Sequence, residues 1–238
     1  MTMLLHVQPE LKKLQEYLEK SGITSRVPSK KLDFETDYID SVFLGTKDGI
    51  ANTGTLKLKN SPIDYVQLVK KQECVRCDYV MGSHVGMGIH KHTWWKIRLF
   101  LTFPTEIHLG PLDLGTITTI KKGLFRSEVE NVIWNGYQKL TTLPPGLIRD
   151  NVVEVLDHNQ ELIVLMRKCL LKEKIITISR YSAKETKEVK SNAKIVISSQ
   201  WKIFKDIIPD ADTLSMYEII AQLVKKKIDE LKYHLAYK

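Results

Sequence analysis

Val7, Leu11, Leu14 and Leu18 recur at intervals of four, three and four, which aligns them on one face of a helix. Lys12, Lys13, Glu16 and Glu19 take the opposite side. Pro9 has the fixed φ of a first helical turn, and Gly22 suits the position just past the end. The spacing therefore predicts a helix over 9–20, followed by a polar connection over 21–37 that contains Pro28.

The period then shortens to two. Strands are expected at 39–44 and 53–59, the second alternating from Thr55 to Lys59. Gly45, Asp48-Gly49 and Asn52 lie between them, which predicts a loop longer than a two-residue hairpin turn. Residues 63–71 read either way: Pro62 can open a helix, whereas Tyr65, Val66 and Val69 favour a strand. Strands follow at 75–81 and 93–103, with Gly82, Gly86 and Gly88 punctuating the connection. Shorter ones are expected at 105–109, 116–120 and 129–134.

Pro144-Pro145-Gly146 is the clearest break in the chain. Beyond it Ile148, Val152, Val155 and Leu156 restore helical spacing. Asp157 and Gln160 resemble a capping box opening a further helix to about 171. Leu162, Leu165, Met166, Cys169 and Leu170 form its apolar face, and Ile163 and Val164 widen it, so cover on most sides is expected. A strand pair at 174–179 and 194–199 is joined by a Lys- and Glu-rich segment that should project into solvent. The last helix is expected over 213–233, opened by a capping box of Ser215 and Glu218, with a stripe from Met216 through Ile220, Val224, Ile228 and Leu231 to Leu235.

Runs of strands followed by runs of helices indicate an α+β fold: a largely antiparallel sheet flanked by N- and C-terminal amphipathic helices. The chain divides into a helix plus strand-rich region, 1–143, and an α+β region, 144–238, which form either two domains or one continuous domain. At 238 residues it can bury a core without disulfides or metal. Three cysteines, an odd number, argue against a disulfide framework and for a reducing, cytoplasmic setting. Met3, Leu4 and Leu5 are followed at once by Pro9, Glu10 and two lysines, unlike a signal peptide. The apolar run at 162–166 is too short to span a bilayer, so integral membrane association is not expected.

A formal net charge of +8 favours anionic partners, although the 28 acidic residues are interspersed among the basic ones. The densest set of metal-capable side chains is Cys74, Cys77, His84, His90 and His92. A Cys-x-x-Cys pair followed by histidines is a zinc-site theme. Against it, residues 74 and 77 of a straight strand take opposite faces. Redox chemistry needs a thiolate at a helix N-terminus, and Glu73 and Asp78 oppose one here. Gly82, Gly86 and Gly88 precede a strand and lack the Gly-Lys-Ser/Thr of a phosphate loop.

Trp94, Lys96 and Arg98 share one side of their strand, a pattern able to stack bases and hold phosphates, while Trp95 turns to the core with Ile97 and Leu99. Lys225, Lys226 and Lys227 cover a broad arc of the last helix, suited to anions or nucleic acid or simply to water. No catalytic motif is present. The sequence is read as a non-enzymatic binding or scaffolding module for an anionic or protein partner, a second copy of itself included. A zinc-dependent enzyme or zinc-stabilised domain, and a nucleic-acid binder, are the alternatives.

Overall fold

In a computed structural model of the chain, the described residues are 9–29, 32, 39–43, 46–81, 84–104, 112–123, 127–136, 147–181, 194–203 and 206–236. Within them, side chains are described except at 39–52, 72–91, 136, 147 and 232–236.

The elements run α1 (Pro9–Lys20), β1 (Thr24–Arg26), β2 (Ile39–Phe43), β3 (Thr46–Lys59), β4 (Tyr65–Met81), β5 (His84–Thr102), β6 (Asp113–Lys122), β7 (Ser127–Gly136), α2 (Leu147–Asp157), α3 (Gln160–Glu173), β8 (Thr177–Tyr181), β9 (Lys194–Ser198) and α4 (Ala211–Ala236). All the described strands join one sheet in the order β1-β3-β4-β5-β9-β8-β6-β7, with β2 also on β3. Every described strand pair is antiparallel. The fold is α+β, with amphipathic helices at both ends. β8 and β9, from the second half of the sequence, sit inside the sheet between β5 and β6.

The strand periodicity makes one face apolar. Leu56, Val66, Leu99, Ile197, Ile178 and Leu114 are register partners in turn across six strands, and all are buried. Leu11, Leu14 and Leu18 of α1, Val152 and Leu156 of α2, Leu162 and Met166 of α3, and Met216, Ile220 and Val224 of α4 belong to the same core. The opposite face carries a smaller cluster, Phe100 and Val196 with Leu32, Tyr65 and Tyr181, to which no described helix contributes.

Several expectations need correction. The glycines of the β4–β5 connection do not make a wide loop. Pairing continues from Tyr65↔Phe100 to Met81↔His84, so Gly86 and Gly88 are strand residues and two residues separate the strands. The ambiguous 63–71 stretch is largely the start of β4, because β3 and β5 pair with it on both sides. Likewise Phe43 pairs with Thr46, making β2–β3 a two-residue hairpin; Asp48-Gly49 lies within β3, where pairing overrides turn propensity. The expected strand at 105–109 and the connection at 182–192 lie outside the described residues.

Both helix caps lie elsewhere than expected. Asn159, two residues after Asp157, caps α3 by accepting from Leu162 N at 2.8 Å. Asp210, five before Ser215, caps α4 by accepting from Thr213 N at 3.0 Å. The Asp210 carboxyl is held down to about 2, chiefly by the hydrogen bond from Lys172. Glu218 instead accepts from the Ser61 hydroxyl at 3.0 Å. Val164 is 63% exposed, so α3 is covered on one side and not on most.

A polar staple closes the helical layer. Lys202 pairs its backbone with Trp95 and its ammonium with Glu173 at the end of α3. The Tyr217 hydroxyl, buried in α4, donates to the other Glu173 oxygen at 3.1 Å. Burial, followed by the neighbouring Glu173 carboxylate, raises the Tyr217 hydroxyl well above its ordinary range. One carboxylate thus ties α3, α4 and the segment after β9 to the edge of β5.

Candidate anion-binding site

The second face of the sheet is built from the residues that alternate with the apolar row. Thr55, Gln67, Arg98, Ser198 and Thr177 are successive register partners across β3, β4, β5, β9 and β8. Thr55, Gln67 and Ser198 are buried, although polar. Buried polar groups are costly unless hydrogen-bonded. Gln67 Oε1 accepts from Arg98 Nη1 at 3.5 Å.

A cavity of about 430 Å³ opens over this face. Lys96 and Arg98 line it from β5, Val196 and Ser198 from β9, Thr177, Ser179 and Tyr181 from β8, and Leu112 and Asp113 from β6 and the residue before it. Arg180 also borders it, but strand alternation assigns that side chain, with Ile178, to the other face. The cations contributed from the cavity's own face are therefore Lys96 and Arg98.

Two effects depress the basicity of Lys96. Burial of its ammonium, and then the charge of Arg98, lower it from 10.5 to about 8. The Trp201 ring lies 5.8 Å from the Lys96 nitrogen and supplies a favourable π face. Across the cavity, burial raises the Asp113 carboxyl. Tyr181 stands edge-on to Phe100 at 5.6 Å between centroids, forming an aromatic wall. The arrangement is cationic at the β5 side, rich in hydroxyls over β9 and β8, and acidic at β6. Such a surface can hold an anion by charge and orient its polar substituents.

Of the residues singled out in the sequence, Lys96 and Arg98 fall in this cavity and Trp94 lies beside it on the same face. Trp94 is half-buried and stacks on His92 at 6.4 Å. Trp95 is buried in the core, as its alternation implied. The lysine cluster of α4 does not form one open face: Lys225 pairs with Asp64 at 2.8 Å, Lys227 lies 3.8 Å from Glu230, and Lys226 is exposed.

For the Cys and His cluster, the backbone places position 74 opposite Lys91, 77 opposite Gly88, 84 opposite Met81, 90 opposite Val75 and 92 opposite Glu73. Positions 74 and 77 thus have opposite parity in one continuous ladder. The side chains of residues 74, 77, 84 and 90 lie outside those described.

Sequence reasoning missed Ser198, Thr177, Ser179, Asp113 and Tyr181. They come from β6 and from the consecutive β8 and β9, and the β5–β9–β8–β6 order brings them beside Lys96 and Arg98. A usable signal was present in the alternation of Thr177, Ser179 and Tyr181 with Ile176 and Ile178. Compared with protein-family models, with curated proteins and with solved structures, the chain matches none.

Proposed function

We propose that this protein is a binding module for a small organic anion, held in the cavity on the second face of the sheet. The observation that carries this reading is the placement of Lys96 and Arg98, one strand position apart on the same face, at the edge of a hydroxyl-lined cavity of about 430 Å³. That volume falls within the ~300–1,000 Å³ typical of small-molecule sites. Two adjacent cations in a partly desolvated setting attract an anion more strongly than the same charges in open water. The half-buried lysine is also relieved of its repulsion with Arg98 when an anion sits between them.

Pyrophosphate serves as a dense anionic probe for calorimetric titration. Measurable binding is expected, weakening as sodium chloride is raised. Arg98→Ala should lower affinity roughly 10- to 100-fold, the loss of one or two charge-assisted hydrogen bonds. Binding that is absent, or equal in wild type, Arg98→Ala and Lys96→Met, would refute the reading.

A further inference from the structure

We infer that the anion is a phosphorylated polyol, lying across β9 and β8 with its phosphate at Lys96 and Arg98 and its far hydroxyls at Asp113. This rests on the anion-binding reading and adds the ligand's class and direction. The first argument is charge. A guanidinium fork beside an ammonium offers two positive charges and several N–H donors, which suits a dianionic tetrahedral group better than a single carboxylate.

The second argument is what lies beyond the cations. Ser198 is the register partner of Arg98, Thr177 that of Ser198, and Ser179 that of Asp113. Each hydroxyl both donates and accepts, so this carpet complements groups that do the same. Asp113 stands at the far side in the next row, opposite Ser179. It is an acceptor alone while ionised and can also donate once protonated, so ligand hydroxyls satisfy it in either state. Tyr181 and Val196 give the carbon skeleton an apolar wall.

The third argument is length. From β5 to β6 the path crosses β9 and β8, three inter-strand steps of ~4.8 Å each, and Asp113 lies two residues, roughly 7 Å, along β6 from Gly115, the position in line with Arg98, so Arg98 and Asp113 stand roughly 16 Å apart at the backbone. A bare phosphate meets one end of this surface. An extended, hydroxylated chain meets both.

The test is a length series: inorganic phosphate, glycerol 3-phosphate and sorbitol 6-phosphate, titrated calorimetrically into the full chain, with gluconate as the carboxylate counterpart. Affinity should rise along the series by at least about tenfold, the equivalent of about 1.4 kcal/mol, with gluconate weaker than sorbitol 6-phosphate. Asp113→Ala should abolish the gain from length and leave inorganic phosphate unchanged. Asp113→Asn, which keeps one accepting oxygen and nearly the same volume, should retain part of the gain and guards against a folding defect in the alanine variant.

Equal affinity along the series, or a gain that survives Asp113→Ala, overturns the inference while leaving an anion site in place. Gluconate binding as tightly as sorbitol 6-phosphate overturns the phosphate assignment. Failure of every phosphate and of gluconate to bind overturns the inference and the reading beneath it together.

Discussion

Ile197 and Ser198 are neighbours on β9 that serve opposite faces of one sheet. On the side of Ile197, the partners across the strands are apolar from Leu56 to Leu114, and four helices cover them. On the side of Ser198, the partners are Thr55, Gln67, Arg98 and Thr177, with a cavity above. The backbone is shared by both sides, and the chemistry is not. A face retained only for stability would be stronger with aliphatic residues at these positions, since apolar burial stabilises without needing partners. The contrast separates a face that holds the fold together from the face proposed to hold a ligand.

The largest effect expected from breaking this division is at the staple on the helical side. Glu173→Ala leaves the Lys202 ammonium buried without its carboxylate and removes the acceptor of Tyr217. A loss of about 3–5 kcal/mol is expected in urea unfolding, the cost typical of removing one partner of a buried pair. Tyr217→Phe, which loses one hydrogen bond and keeps the volume, should cost only ~1–2 kcal/mol. Equal losses for the two would mean that the hydrogen bond from Tyr217, and not the ion pair with Lys202, accounts for what the carboxylate contributes.

Next in size is the paired test on β9 itself. Ile197→Ala should cost about 2–5 kcal/mol through lost burial and a residual cavity. Ser198→Ala should stay within about 1.5 kcal/mol and instead weaken pyrophosphate binding. A Ser198→Ala variant that binds normally and unfolds like Ile197→Ala would erase the distinction between the faces.

A third effect lies where α1 meets the sheet. Gly54 sits at a register shift in β3 with φ of 145°, and a Cβ there would collide with the Leu11 side chain. Gly54→Ala should therefore destabilise by ~1–3 kcal/mol, since both the backbone conformation and the packing oppose it. Combining it with Leu11→Ala should give less than the sum of the two, because the smaller side chain removes the clash. Strict additivity would place the strain in the backbone alone.

Much of the fold was legible, and the reasons are local. α1 is marked by Leu11, Leu14 and Leu18, by Pro9 at its start and by Gly22 beyond its end, and all these signals agree. α4 announces itself by an apolar stripe over five turns. The hairpins were harder, because a glycine in a paired strand looks in sequence like a glycine in a turn; Gly86 and Gly88 are strand residues because β4 supplies the partners. The caps failed for a related reason: capping boxes at 157–160 and 215–218 compete with nearer acceptors, Asn159 and Asp210, and the geometry of chain entry decides. Of the cavity, the β5 alternation exposed Lys96 and Arg98 as a same-face pair. Ser198, Thr177 and Asp113 join them through strand order, which no short window of sequence encodes.

The last effect is read as a difference across pH, and it is the most specific to the cavity. Lys96 keeps its ordinary value of 10.5 in the unfolded chain and falls to about 8 in the folded one, through burial and then Arg98. Between those pH values the unfolded chain holds more protons, so this group makes stability rise as pH goes from about 8 toward 10.5. Below about 8 both states are charged and the full cost of the buried ammonium persists. Lys96→Met should thus be more stable than wild type at pH 7, by an advantage that shrinks as pH climbs through that window. Taking the difference between the two proteins cancels the other lysines and tyrosines that titrate there. Sorbitol 6-phosphate at saturation should reduce the advantage at pH 7, because the bound anion repays the charge in wild type. A stability difference that ignores both pH and ligand would mean that Lys96 is solvated in the folded chain, and that the second face is an ordinary wet surface after all.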